Sequence, residues 1–119
     1  MTVTGIDHVQ VAAPRDCEAE ARAFYGGLLG LEEVPKPEPL RANGGCWFRA
    51  GGQELHVGVE EPFAPSRKAH PGLVVADLDG LAERLAGAGV AVSWDESIPG
   101  TRRFHAADPF GNRLEFREG

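Results

Sequence analysis

An internal repeat restricts the fold of this chain more than any other feature, because both halves must form the same unit. In the first half, residues 4–12 alternate apolar and polar side chains as a strand does. Pro14 and Asp16 then open a helix. Three short strands are predicted to follow it, near residues 31–35, 45–50 and 53–59.

The second half repeats this order after residues 60–69, which contain two prolines and show no periodicity. A strand is predicted from about His70 to Ala76, and Asp77 or Asp79 can cap the helix that follows. Three further strands are predicted, near residues 90–94, 102–107 and 112–117.

The two halves are predicted to be modules of one α+β domain that spans residues 1–119. Each βαβββ module, at about 1–60 and 69–119, is small to stand alone, so residues 60–69 are interpreted as a linker inside the domain.

Both predicted helices carry an apolar stripe. In the first helix the stripe is Cys17, Ala21, Phe24 and Leu28, and in the second it is Leu78, Leu81, Leu85 and Ala88. Tyr25 is expected to anchor the first helix to its sheet.

The charge and composition of the chain exclude several classes of partner. The formal net charge is −6 and the pI is about 5.1, whereas proteins that bind nucleic acid carry a basic patch. No apolar run reaches the ~18 residues that a membrane helix needs, and the start of the chain lacks the pattern of a signal peptide. Cys17 and Cys46 lack metal-ligand spacing, so they are predicted to be reduced thiols of a cytoplasmic protein.

Two of the four histidines align when one half of the sequence is laid over the other. His8 and His70 both lie in the predicted opening strand of their half. His56 and Glu115 each lie four residues after a glycine of the hairpin that closes their half. A pseudo-twofold relation between the halves would bring these four side chains around one point.

The residue types of this set suit a metal ion. In each strand the apolar neighbours of the histidine or glutamate lie on the opposite face, which leaves the polar side chain on the other face. Three imidazoles and one carboxylate suit a divalent Mn, Fe, Co, Ni or Zn ion. Four protein ligands on an octahedral ion leave two positions for substrate or water.

Roles without a metal are also consistent with these residue types. A single histidine in a strand is most often a structural or surface residue, and a single glutamate is usually solvated. Glu54 is an alternative to His56, because the two share one face of the same strand. Gln10 shares the face of His8 and is a candidate contact for the substrate or for a metal-bound water.

Several motifs, in this order and spacing, resemble the glyoxalase/bleomycin-resistance/extradiol-dioxygenase superfamily, also called the vicinal oxygen chelate superfamily. The last of them is the most specific, and together they cover nearly the whole chain. They are Ile6-Asp7-His8-Val9, Phe24-Tyr25 with Leu29-Gly30-Leu31, Lys68-Ala69-His70, and Asp108-Pro109-Phe110-Gly111-Asn112-Arg113-Leu114-Glu115.

The resemblance implies two βαβββ modules that form a curved mixed sheet with a concave metal-binding cleft, usually in a homodimer. Its metal ligands, carried over by position, are His8, His56, His70 and Glu115. A histidine at position 56 differs from the glutamate that is common there in glyoxalase I. The resemblance also places Arg103 and His105, on the strand next to Glu115, as candidate substrate contacts.

The predicted function is therefore a metal-dependent lyase, isomerase or dioxygenase that acts on a small oxygen-chelating substrate. In this hypothesis Glu115 is catalytic and moves a proton, with Glu54 as the other candidate. Two alternatives remain: a metal-free small-molecule binding protein of the bleomycin-resistance type, and a dimer module without catalysis. A cleft lined mainly by aromatic side chains would favour the binding protein.

Overall fold

The computed structural model describes residues 2–119 of the chain. These residues divide into two compact units, whose boundary lies between Ala64 and Pro65. The boundary falls inside the predicted linker, so each unit contains one predicted module. Among the described residues, no helix is both long and apolar enough to cross a membrane.

The first unit has the predicted order of one strand, one helix and three strands. A 3₁₀ helix, which the sequence pattern did not predict, precedes the last two strands. The elements are β1 (His8–Ala13), α1 (Glu18–Ala21) continuing as a π-helix (Arg22–Leu28), β2 (Glu32–Val34), the 3₁₀ helix (Glu38–Asn43), β3 (Cys46–Ala50) and β4 (Gln53–Val59). The strands form one sheet in the order β1-β4-β3-β2, in which β1 runs parallel to β4 and the other pairs are antiparallel.

The second unit repeats this arrangement. Its elements are β5 (Gly72–Val75), α2 (Leu78–Gly87), β6 (Ser93–Trp94), β7 (Arg103–Ala107) and β8 (Arg113–Glu118). The sheet order is β5-β8-β7-β6, again with one parallel pair, β5 with β8. The prediction of an α+β fold with two βαβββ modules is therefore confirmed.

The first helix departs from a regular α-helix at its second half. The amide of Leu29 donates to the carbonyl of Phe24, five residues earlier, at 2.9 Å. This wider turn lets both Phe24 and Tyr25 enter the core, while Leu28 is only half-buried. The predicted apolar stripe is correct at its first three positions, and Tyr25 takes the place of Leu28. The ring of Tyr25 lies 5.7 Å from that of Phe48 in β3, which confirms that Tyr25 joins the helix to the sheet.

The second helix begins and ends close to its predicted limits. Oδ1 of Asp77 accepts a hydrogen bond of 3.0 Å from the amide of Gly80, so Asp77 rather than Asp79 caps α2. The first three apolar positions of the predicted stripe are buried. Ala88 lies just beyond α2 and is exposed, so its predicted place in the stripe is wrong.

Both cysteines are free and buried, in α1's N-cap position and in β3. Burial raises the pKa of the Cys17 thiol to about 11, and it raises that of Cys46 as well. Both thiols are therefore protonated and unreactive at neutral pH.

Candidate metal centre

His8 is a candidate metal ligand because one of its ring nitrogens carries a lone pair. It is the first residue of β1, and its ring is partly exposed. Its Nδ1 lies 3.0 Å from Oδ1 of Asp7. Because a carboxylate only accepts hydrogen bonds, the neutral ring carries its proton on Nδ1 and its lone pair on Nε2.

His56 is held more tightly, in the middle of β4. Its side chain is only 4% exposed, and its Nε2 lies 2.9 Å from Oε1 of Glu54. By the same argument Nε2 donates to Glu54, and the lone pair of the neutral ring is on Nδ1. Aromatic rings cover both faces of this imidazole: Trp47 at 3.7 Å and His8 at 4.2 Å. The first unit thus brings His8, His56 and Glu54 together.

Gln10 lies opposite His56 in the parallel pairing of β1 with β4. Its side-chain amide lies close over Gly58, since a Cβ at position 58 would be 2.5 Å from Nε2 of Gln10. Glycine at this position therefore leaves the space that the amide occupies. A substrate contact by Gln10 stays a prediction.

His70 does not lie inside the opening strand of the second unit, which corrects the predicted strand start. β5 begins at Gly72, because Pro71 has no N–H to donate to the sheet. The Nδ1 of His70 lies 2.8 Å from the carbonyl oxygen of Lys68, and its Nε2 lies 3.0 Å from Oε1 of Glu115. Since Nδ1 must donate to the carbonyl, a neutral ring would direct the lone pair of Nε2 at a carboxylate. A second proton or a metal cation removes this repulsion.

The segment before His70 is tied to β8 by hydrogen bonds. The amide of Ser66 donates to Oδ1 of Asn112 at 3.0 Å, and the amide of Arg113 donates to the carbonyl of Ser66 at 2.9 Å. Directly after His70, the carbonyl of Pro71 accepts a hydrogen bond of 3.1 Å from the amide of Glu115. These bonds on both sides of His70 hold its ring against the carboxylate of Glu115.

Glu115 is a buried carboxylate in β8, with 8% of its surface exposed. Burial raises the pKa of its carboxyl group, but the hydrogen bonds from His70 and Arg103 and the charge of Arg103 outweigh burial. The net result is a pKa below the ordinary value, so Glu115 is ionised at neutral pH. An ionised carboxylate is the form that binds a metal.

His105 is the third potential donor in the second unit, because it pairs with Glu115 across β7 and β8. One ligand atom from each of His70, His105 and Glu115 lies within 4.8 Å of the others. However, Nη2 of Arg113 lies 3.3 Å from Nε2 of His105, so that nitrogen already accepts a hydrogen bond from Arg113. Burial, together with the charges of Arg113 and Arg103, lowers the pKa of His105 and keeps it neutral at pH 7.

Arg103 connects Glu115 to the segment that follows β6. Its Nη1 donates to Oε1 of Glu115 at 3.1 Å, and its Nη2 donates to Oδ2 of Asp95 at 3.0 Å and to Ser97 at 3.1 Å. The structure thus places both predicted substrate contacts, Arg103 and His105, beside Glu115.

The three histidines proposed as ligands share a hydrogen-bonding pattern that suits metal binding. In each ring one nitrogen faces an oxygen acceptor: Asp7 for His8, Glu54 for His56 and the Lys68 carbonyl for His70. Acceptors of this kind orient ligating histidines in metalloproteins and leave the other nitrogen for the ion. His105 differs, because a cationic donor faces its Nε2. The donor set therefore fits a divalent first-row ion.

Counting residues from the hairpin glycines does not by itself decide between His56 and Glu54. The hairpins differ in length, with Ala50 paired to Gln53 but Ala107 paired to Arg113, so counting from a turn glycine does not establish equivalence. The parallel pairing supports His56. If His8 is equivalent to His70, then Gln10 is equivalent to Gly72, and His56, opposite Gln10, matches Glu115, opposite Gly72. Burial agrees, because His56 and Glu115 are each the middle of three buried residues in their strands.

Three groups around the donors were not predicted from the sequence: Asp7, the carbonyl of Lys68 and Arg113. A carboxylate directly before His8 was the available signal for Asp7. A backbone carbonyl has no signal in the sequence, and the contact of Arg113 with His105 depends on strand pairing.

The comparisons with known proteins agree with this fold. The model of the Glyoxalase/Bleomycin resistance protein/Dioxygenase superfamily matches residues 5–116, so the chain belongs to this superfamily. No match was found among curated proteins.

Solved structures show the same fold. A glyoxalase family protein from Bacillus anthracis is 52% identical, with a TM-score of 0.96 over 100% of this chain and 98% of that one. A lactoylglutathione lyase from Agrobacterium tumefaciens is 21% identical, with a TM-score of 0.77 over 100% of this chain and 96% of that one. A mutant of the fosfomycin resistance protein FosX from Listeria monocytogenes, in complex with Mn(II) and 1S,2S-dihydroxypropylphosphonic acid, is 15% identical, with a TM-score of 0.81 over 99% of this chain and 94% of that one.

Proposed function

We propose that this chain is a metal-dependent lyase or isomerase that acts on a small substrate with two chelating oxygen atoms. Its ligands are His8 and His56 from the first unit and His70 and Glu115 from the second. The observation that carries this proposal is the pairing of each histidine with an oxygen acceptor at one ring nitrogen. Superfamily membership and the Mn(II) in FosX support a divalent ion among Mn, Fe, Co, Ni and Zn.

The residues beside the donors have distinct proposed roles. A bound ion would act as a Lewis acid that polarises a substrate oxygen. Glu115, which is ionised and buried, accepts or returns a proton, and Glu54 is the second carboxylate within reach of a histidine ligand. Arg103 and His105 border Glu115 and contact the substrate, with Arg103 suited to an anionic group. Gln10 is a further proposed substrate contact.

Two properties of the whole protein belong to the same proposal. The exposed apolar side chains of Ile6, Val9 and Val74 lie on or beside the edge strands β1 and β5, and they support a homodimer because apolar edge strands tend to pair with another chain. The free buried thiols of Cys17 and Cys46 support a cytoplasmic location, where thiols stay reduced.

The test is elemental analysis of protein purified without a chelator. We expect a stoichiometric divalent metal in the parent protein and its loss in His70→Ala. His105→Ala is the matched control and should keep the metal, because Arg113 already occupies Nε2 of His105. A parent protein that lacks metal and gains none on titration would contradict the proposal and favour the metal-free binding protein.

A further inference from the structure

Three aromatic rings form a stack on the sheet of the first unit. The indole of Trp47 lies 3.7 Å from the imidazole of His56, with only 4° between their planes. On the other face of His56 the ring of His8 lies at 4.2 Å, with 16° between planes. Trp47 lies directly opposite His56 in the pairing of β3 with β4, so the sheet itself sets this contact.

Stacked imidazoles cannot both bind one metal ion. An ion binds the lone pair of a ring nitrogen, which lies in the plane of the ring, at about 2.0–2.1 Å. An ion placed in the plane of His56 would stand roughly 4 Å out of the nearly parallel plane of His8, far outside a bonding position. If both residues are ligands of one ion, one of the two rings must therefore leave the stack.

The surroundings of the two rings show which one moves. The His56 side chain is 4% exposed and is held by Trp47 on one face and by Glu54 at Nε2. His8 is the first residue of its strand, and its side chain is 45% exposed. Its hydrogen bond to Asp7 involves a side chain that is itself 93% exposed. Moving the His8 ring breaks the stack and this exposed contact, whereas moving the His56 ring breaks buried contacts on two sides.

We propose that Trp47 is a positioning residue that holds the imidazole of His56 in one plane, and that metal binding draws His8 out of the stack. This inference rests on the proposed ligand set. Trp47 touches His56 rather than the ion, so it acts through the orientation of His56. The same stack makes His56 a fixed ligand and His8 the ligand that completes the site.

Zinc titration followed by NMR of the histidine rings tests the movement, because zinc is diamagnetic and the chain has only four histidines. Single His→Gln variants assign the four ring signals. We expect the ring nitrogens of His8 and His56 to shift to metal-bound values, the nuclear Overhauser contacts between these two rings to disappear, and those between His56 and Trp47 to persist.

Two further outcomes have separate meanings. If both histidines bind zinc while the contacts between their rings persist, the movement of His8 is wrong although the proposed function stands. If zinc shifts no histidine nitrogen, the proposed ligand set itself fails, and this inference fails with it.

Substitutions of Trp47 test its role as a positioning residue. Trp47→Leu removes the flat ring and should weaken zinc affinity by about 10–100-fold, the range typical of groups that orient a metal ligand. Trp47→Phe keeps an aromatic face and should restore most of that affinity. Trp94→Phe is the control, because Trp94 packs on Phe104 and Arg102 in the second unit.

A folded Trp47→Leu protein with parent affinity would overturn the proposal. If Trp47→Leu does not fold, Trp47→Phe replaces it in the test. A zinc-induced shift of the His56 ring nitrogen equal to that in the parent protein supports the proposal, and loss of that shift contradicts the proposal.

Discussion

Single hydrogen bonds decide what each histidine of this protein can do. His8, His56 and His70 each donate one ring N–H to an oxygen of their own unit, whereas His105 accepts from Arg113. Histidine therefore has two proposed roles in this chain: metal ligand at positions 8, 56 and 70, and substrate contact at position 105. Those roles follow from which atom faces the ring and not from the distance between donors, since His105 lies as close to Glu115 as a ligand would.

Variants of His56 and Glu54 directly compare the two candidates for one ligand position. His56→Ala should greatly weaken metal binding, because it removes a direct ligand. Glu54→Gln keeps an oxygen that can accept from Nε2 of His56, so it should retain the metal and reduce affinity at most ~10–100-fold. Metal titration of both variants beside the parent protein is the measurement. Loss of the ion in Glu54→Gln with retention in His56→Ala would instead assign the position to Glu54, against the parallel strand pairing.

At the scale of elements, the turn between β7 and β8 connects a sequence motif to the site. Oδ1 of Asp108 accepts from the amides of Phe110 and Asn112 at 3.0 and 2.8 Å. Gly111 has a φ of +93°, and a Cβ there would lie 3.3 Å from Pro65. The side chain of Asn112 then reaches Ser66, at the start of the segment that carries His70. The motif therefore builds a turn and also fixes the segment that carries His70, a proposed metal ligand.

Asn112→Ala should destabilise the protein by about 1–3 kcal/mol, the cost of leaving buried hydrogen-bonding groups without partners. The side chain of Asn112 is fully buried, donates to Oδ2 of Asp108 at 2.9 Å and accepts from the amide of Ser66. Urea denaturation measures the free energy of unfolding. Glu83→Ala, at an exposed position of α2, is the control and should change that energy by less than about 0.5 kcal/mol. An equally small change in both variants would show that the turn does not depend on Asn112.

At the scale of the whole molecule, the edges of the two sheets carry exposed apolar side chains. β1 and β5 are the edge strands of their sheets, and Val9 and Val74 on them are 36% and 70% exposed. Ile6, just before β1, is 68% exposed. Edge strands with apolar side chains tend to associate with another chain.

We therefore expect the protein to be a homodimer at micromolar concentration. Ile6→Lys combined with Val74→Lys should shift it towards the monomer, because a charged side chain opposes burial in an apolar interface. Sedimentation velocity measures both proteins, and Ile98→Lys, on the segment between β6 and β7, is the control. A parent protein that sediments as a monomer would contradict the prediction.

The amino-acid sequence by itself determined the order of the elements and the candidate donors. Alternating strands, helix stripes and hairpin glycines act over a few residues, so they can be recognised without any knowledge of distant contacts. The repeat of this order predicted the two βαβββ modules, and motifs such as that ending in Glu115 indicated the superfamily before any comparison. The misses were local. They include Leu28 and Ala88 in the helix stripes, and two strand starts that were predicted at residues 4 and 70 but lie at His8 and Gly72.

Only the tertiary structure decided how the donors are arranged. The stack of Trp47, His56 and His8 joins three strands, and the bond between His70 and Glu115 joins residues 45 apart in the chain. Such contacts depend on strand register, and a shift of one residue would turn each side chain to the other face. The acceptors that assign the ring protons of His8, His56 and His70 lie one or two residues away in the chain, but their approach to the ring depends on the backbone conformation that the fold imposes. For this reason the sequence could name the histidines, whereas the pairing of strands decided which rings and carboxylates lie beside them.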